Sequence, residues 1–201
     1  MRIAESAALV LVDLQRAIDD PSWGVRNHPD AESRGARLLA AWRLSGRAVF
    51  HVKHDSVEPN STYRPGQSGN EFKPEFVPLA GERIVAKQTG SAFAGTGLQS
   101  LLEAGGHNQL VVFGVITNNS VETTVRHAAC LGFSVVLVED ACFTFNRGPW
   151  RADEIHAMSL ANVDGEYCEV TTADAVLLPL DGAGGLVGKV VEDGADPILG
   201  E

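Results

Sequence analysis

The sequence is poor in cysteine, in aromatic side chains and in positive charge, and it contains no long apolar run. Among 201 residues there are 3 cysteines, and aromatic residues make up 6%. Cys130, Cys142 and Cys168 are odd in number and form no CxxC pair. That disfavours a disulfide framework or a zinc ribbon and suits a reducing cytosol. Lys and Arg number 16 against 26 Asp and Glu, a net charge of -10. Such a balance argues against a nucleic-acid or anionic-membrane surface. No stretch approaches the ~18 apolar residues of a membrane-spanning helix. The opening residues, Met1 to Ser6, carry an acid and run straight into a strand-like segment, unlike a secretory signal. A cytoplasmic protein is expected. Neither GxGxxG nor GxxxxGK[ST] occurs, so no nucleotide cofactor is expected.

What is present is ordinary globular composition, 44% hydrophobic and 21% charged. The length fits one domain, placed at 1–180, with a Gly-containing acidic tail at 181–201. Ala7 to Val12 is a continuous apolar run, the pattern of a strand buried on both faces of a parallel sheet. Gly46 to Val52, Arg83 to Ala86, Gln109 to Val115 and Ser134 to Val138 repeat it, and Ala175 to Leu178 is read as a sixth strand. Helical stretches lie between them: Pro29 to Leu44, Gly97 to Ala104, Val121 to Leu131 and Arg151 to Asn162. Leu38, Leu39, Ala41 and Trp42 form an inner face of the first, and Leu98, Leu101 and Leu102 of the second. Gly132 is placed to end a helix. This alternation predicts an α/β fold of three layers around a six-stranded, mainly parallel sheet. In such sheets the ligand site lies beyond the carboxyl ends of the strands.

Three residues stand at those ends. Asp13 follows the first strand, Lys87 leaves the third, and Ser120 lies in the turn from the fourth strand into a helix. An aspartate there is partly desolvated, with a raised pKa unless a cation balances it, and a nearby lysine offers that balance. Ser120 on a first helical turn would meet free backbone N–H groups and the positive end of the helix dipole, a setting for a nucleophile and an oxyanion. Taken singly, each has a bland reading: Asp13 a helix cap, Lys87 a surface lysine, and Thr117 or Asn118 the cap of Ser120's helix. Ser56 to Pro78, with four prolines, is too long for a plain connection and is expected to serve function. His51, His54 and Asp55 cluster at the end of the second strand; they are read as strand and loop residues, and no metal is expected.

The residues resemble, over Ala7 to Leu178, the isochorismatase-like cysteine hydrolases, which include nicotinamidases, N-carbamoylsarcosine amidases and biuret hydrolases. The likeness is carried by LVDLQ with Asp13, by Asp20 to Gly24, by Arg64-Pro65-Gly66, by Lys87 with Ser91-Ala92-Phe93, by GVITNNSVETT, and by Gly132-Phe133 leading to Glu139-Asp140-Ala141. It implies a three-layer, Rossmann-like fold and a catalytic triad in which Asp13 and Lys87 match the family's aspartate and lysine. The third position is cysteine in the family and Ser120 here. The chain departs from the Asp-x-His-x-x-His metal motif of nicotinamidases, which disfavours that activity.

The resemblance implies hydrolysis of a small-molecule amide or ureide C–N bond through an acyl-enzyme. The N–H groups of Ile116 and Ser120 would form the oxyanion hole, with a cis peptide before Ile116. Three explanations of Ser120 stay open: a nucleophile variant made to trap substrate, which is favoured; a natural member with weak or altered chemistry; or action by Cys142. Cys130 and Cys168 are read as small buried residues. Trp23, Arg64, Gln67, Ser91, Phe93 and Asn119 are the expected substrate contacts, Arg64 as the grip for a carboxylate. Phe143 or Phe145 would add to the apolar walls. A homo-oligomer is expected, with no nucleic-acid or membrane partner. An isochorismatase-type vinyl ether hydrolase, or a non-catalytic small-molecule-binding protein, is the alternative function.

Overall fold

The computed structural model describes residues 2–183. Six strands form one sheet: β1 (Ala8–Val12), β2 (Val49–His54), β3 (Arg83–Lys87), β4 (Gln109–Gly114), β5 (Ser134–Val138) and β6 (Glu169–Thr171). Their order is β3-β2-β1-β4-β5-β6, and every pairing is parallel. Helices α1 (Ala31–Leu44), α2 (Leu98–Ala104), α3 (Glu122–Cys130), α4 (Ala152–Ala161) and α5 (Ala173–Ala183) connect and cover it. The chain winds from β1 outward to β3, then returns to lay β4 on the other side of β1. The switch point between β1 and β4 is where an open α/β sheet leaves a crevice for ligand.

The core follows from the apolar runs. All five residues of β1 are buried, as are Leu110 to Gly114 of β4. Leu38, Leu39 and Trp42 of α1 pack onto the sheet, and Trp42 Nε1 donates to the Ala7 carbonyl at 3.2 Å. β3 departs from the expectation of a strand buried on both faces: Arg83, Ile84 and Ala86 are exposed because it is an edge strand. The sixth strand is also not where expected. Ala175 to Leu178 lies inside α5, where Ala173, Val176 and Leu177 are buried at helical spacing. β6 is instead the three-residue Glu169–Thr171. Leu101, expected on the inner face of α2, is partly exposed, while Leu98 and Leu102 are buried. Gly132 ends α3 with φ +90°, as expected of a helix terminator. Helix α5 crosses residue 180, and the tail expected at 181–201 lies for the most part outside the described residues. No helix among the described residues is long and apolar enough to cross a membrane.

Gly114 fixes how closely the two central strands approach. It pairs in register with Val12 and has φ +138°. A Cβ there would lie 2.2 Å from the Val12 carbonyl oxygen. Both the backbone conformation and the contact forbid a side chain. Gly114→Ala is expected to lower unfolding stability by about 3 kcal/mol, read from the urea midpoint. An unchanged midpoint would show that β1 and β4 can part here without cost.

Candidate active site

β1 ends at Val12 and the next residue, Asp13, turns into the left-handed region with φ +54°. Aspartate tolerates that conformation better than most residues. The turn is held from three sides: the Asp13 N–H donates to the Val52 carbonyl at 3.0 Å, and its carbonyl accepts from the Gln15 N–H at 2.8 Å and from the Tyr63 hydroxyl at 3.2 Å. Lys87 ends β3, in register with His54 at the end of β2. Its side chain reaches back under β2 toward the switch point and is fully buried. Lys87 Nζ donates to Asp13 Oδ2 at 2.6 Å, to the Thr89 carbonyl at 3.0 Å and to Ser120 Oγ at 3.3 Å, and lies 3.5 Å from His54 Nδ1. Asp13, Lys87 and Ser120, expected to share one sheet edge, thus meet at one ammonium group.

Ser120 does not sit on a plain first turn of α-helix. Thr117–Val121 forms a π-helical turn ahead of α3, with Ile116 as its N-cap. The Ile116 carbonyl accepts from the N–H groups of Asn119 at 3.0 Å and Val121 at 3.3 Å. Neither Thr117 nor Asn118 caps the turn as expected. The Thr117 hydroxyl instead lies 2.9 Å from His156 Nδ1, and Asn118 Oδ1 accepts from the Thr144 hydroxyl at 2.6 Å. π-Helical turns are rare and concentrate at functional sites. The Val115–Ile116 peptide is cis.

Burial pushes the Asp13 carboxyl above its ordinary range, against the opposing pull of the Lys87 charge and hydrogen bond. Its Oδ1 is buried with no hydrogen-bond partner. A buried pair of this kind costs desolvation that its attraction only partly returns, so it is poor evidence of a stabilising role. Perturbed groups in a crevice are better read as chemistry. His54 is held below its usual value by burial and by the neighbouring Lys87 charge, and is therefore neutral near pH 7. Tyr63 is pushed well above its usual value by burial and stays protonated.

These groups open onto a cavity of about 320 Å³. Asp13, Ile116 and Ser120 form its floor; Trp23, His54, Tyr63 and Asn119 stand around it, with Ser56, Glu58 and Ser61 from the long loop and Gln88 to Gly90 beyond β3. Trp23 and Asn119, both expected to contact substrate, line this cavity. Four others do not line this cavity. Arg64 and Gln67 are exposed on the outside of the loop, where they donate to the Pro59 carbonyl at 2.9 Å and the Ser61 carbonyl at 2.7 Å. Ser91 Oγ lies 2.8 Å from His127 Nδ1 and accepts from the Phe93 N–H. Phe93 stacks on Phe133 with ring centroids 5.7 Å apart. Phe143 and Phe145 are buried outside the cavity lining, Phe145 stacked behind Trp23. His54, Tyr63 and Glu58 were not singled out as substrate contacts. The register of β2 against β3 is the signal that places His54 beside Lys87.

No cysteine lines the cavity. Burial pushes the Cys142 and Cys168 thiols up to about 12, far from ready ionisation. Cys130, expected to be buried, is exposed at the end of α3. His51 points away from the site, with Nε2 2.7 Å from Glu82 Oε2, while Asp55 accepts from Asn70 Nδ2 at 2.9 Å. Among the described residues no group of three or more His, Cys, Asp or Glu is placed to hold a metal ion.

Residues 7–175 match the isochorismatase domain family. An isochorismatase-family crystal structure from Chromobacterium violaceum ATCC 12472 superposes with a TM-score of 0.87 at 57% identity, covering 90% of this chain and 97% of that one. The isochorismatase family protein YrdC of Bacillus subtilis (strain 168) is 34% identical over 178 residues, 86% of this chain and 95% of its own. Nicotinamidase 3 of Arabidopsis thaliana is 37% identical over 181 residues, 84% of this chain and 85% of its own. With the all-parallel sheet and a site at its switch point, these similarities identify the chain as an isochorismatase-family hydrolase.

Proposed function

We propose that this hydrolase acts on the C–N bond of a small amide or ureide through an acyl intermediate on residue 120, and that serine at this position makes turnover slow. The observation that carries the reading is Lys87 Nζ, which donates to Asp13 Oδ2 and Ser120 Oγ together at the floor of the cavity. The kinship to a nicotinamidase supports amide chemistry.

In the proposed sequence, Asp13 takes the proton of the residue 120 nucleophile, whose oxygen or sulfur attacks the substrate carbonyl carbon. The Ile116 and residue 120 N–H groups receive the developing oxyanion. Lys87 holds Asp13 ionised and steadies the nucleophile. Collapse of the tetrahedral intermediate breaks the C–N bond, and the Asp13 proton leaves with the amine or ammonia. Water, deprotonated by Asp13, then releases the acid and restores the enzyme. The substrate is a free small molecule, and the catalytic unit is taken to be a cytoplasmic homo-oligomer.

The test is intact mass after rapid quench of Ser120→Cys with a panel of small amides and ureides, alongside ammonia release. A mass gain equal to the acyl group, absent in Ser120→Ala, is the expected result. Ammonia release without any acyl adduct, or adduct on Cys142, would overturn the assignment of residue 120.

A second reading is favoured by the raised Asp13 carboxyl and its unpartnered Oδ1. A protonated aspartic acid can donate a proton to a vinyl ether, a hydrolysis that needs no nucleophilic thiol. In that case the serine form is already active on vinyl ethers, Asp13→Asn abolishes the activity, and Ser120→Cys brings no gain.

A further inference from the structure

The charge lining the cavity runs one way. Its formally charged acids are Asp13, on the floor, and Glu58, on the exposed loop, and neither Lys nor Arg lines it. Among the described residues, the cation at the floor is Lys87, and it is held by Asp13 and the Thr89 carbonyl. Arg64, the expected grip for a carboxylate, is turned away onto the Pro59 carbonyl. His54 is neutral near pH 7 and Tyr63 stays protonated, so neither supplies positive charge.

A shallow groove of about 450 Å³ continues the cavity outward, and Trp23, Glu58 and Ser61 line both. Trp23 Nε1 already donates to the Ala17 carbonyl at 2.8 Å. What Trp23 offers a ligand is therefore ring surface and not a donor. One face of the indole is backed by Phe145, with centroids 5.6 Å apart, and Tyr63 meets it edge-on at 6.4 Å, which fixes the ring in place. A fixed indole beside a carboxylate, with no competing cation in the lining, is a seat for a positively charged group.

We infer that the substrate is an amide whose carbonyl lies on Ser120 and whose far end carries an ammonium or similar cation, seated between Trp23 and Glu58. The inference rests on the amide reading above and names the substrate class of the same site. Small amides ending in a carboxylate are rejected, because the lining offers that group only carboxylates and neutral dipoles.

The chain as it stands suits the test, since slow turnover leaves binding to be read alone. Calorimetry is run with three amides of matched length: 5-aminopentanamide, 5-hydroxypentanamide and 4-carbamoylbutanoate. The cationic amide is expected to bind roughly tenfold or more tightly than the hydroxyl one, and the carboxylate to show no measurable heat. Glu58→Gln, a change on an exposed loop, should bring the cationic amide within about threefold of the neutral one. Raising salt should weaken the cationic amide selectively.

Equal binding of the anionic and cationic amides, an unaltered preference in Glu58→Gln, or no binding of any of the three would overturn the inference. Ammonia release from the same compounds by Ser120→Cys is measured separately. A charge preference without ammonia supports the cation seat and counts against the hydrolase reading alone. Ammonia without a charge preference does the reverse.

Discussion

Ser120→Cys is expected to raise kcat on a cleavable amide by roughly a thousandfold while KM moves by no more than a few-fold. The asymmetry follows from what the substitution touches. Trp23, His54, Tyr63 and Asn119 line the cavity, and in the proposed reading they set binding together with the backbone of the turn after β4. An oxygen-to-sulfur exchange leaves all of these in place. In the proposed reading the chemical step depends on ionising residue 120. Lys87 Nζ, at 3.3 Å from Ser120 Oγ, helps, but it is already engaged by Asp13 at 2.6 Å. A carboxylate is too weak a base to deprotonate an alcohol to a useful extent, even when burial has pushed its pKa up. A thiol is a few per cent ionised at neutrality, and the same ammonium draws it further. A thousandfold gain corresponds to about 4 kcal/mol of barrier. Steady-state kinetics of both forms on one amide check it. A serine form already working at an ordinary enzymatic rate would remove the argument and favour the vinyl ether reading.

The meeting of Asp13, Lys87 and Ser120 was legible in the sequence because it depends on strand ends alone. Apolar runs of buried parallel strands mark where each strand stops, and a parallel sheet puts all those stops on one edge. The walls of the cavity were not legible in the same way. Arg64, Gln67 and Tyr63 share one loop, yet Tyr63 turns inward to the Asp13 carbonyl and the other two turn out. No repeat period governs side-chain direction in such a segment. Its path is set by long-range bonds such as Asn70 Nδ2 to the carbonyls of His54 and Tyr63. β6 escaped notice for a related reason: Glu169–Thr171 is three residues long and holds one aliphatic side chain, too short to show a pattern. The apolar cluster of α5 was read as a strand because four residues, Ala175 to Leu178, do not separate a period of two from one of 3.6. The π-helical turn carries no compositional mark, and Thr117 and Ser120 read equally well in an α-helical turn.

Lys87→Met should abolish most of the activity gained by Ser120→Cys, with a loss of roughly a thousandfold in kcat, and should move the acidic limb of the pH–rate profile upward. Methionine keeps the unbranched stem that crosses beneath β2, so packing is largely retained. What goes is the charge between Asp13 and residue 120. Asp13 is then left buried with no hydrogen bond on Oδ1 and no counter-charge on Oδ2. Burial already raises its pKa, and Lys87 is the largest influence opposing that rise. Without it the carboxyl holds its proton to higher pH. The base form that the mechanism needs is then present only on the alkaline side.

Stability should follow the same sign. The folded-state pKa of Asp13 lies above its unfolded value of 3.8. The folded state therefore binds the proton more tightly, and stability is lost as pH rises from the unfolded value through the folded one. Removing Lys87 stretches that window upward, so the variant should lose more melting temperature at pH 8 than at pH 5 relative to the parent chain. Paired pH–rate and thermal-melt series on Ser120→Cys with and without Lys87→Met measure both effects. An acidic limb that stays where it was, with kcat reduced, would show that Lys87 acts on the nucleophile alone and that the ionisation of Asp13 does not depend on it.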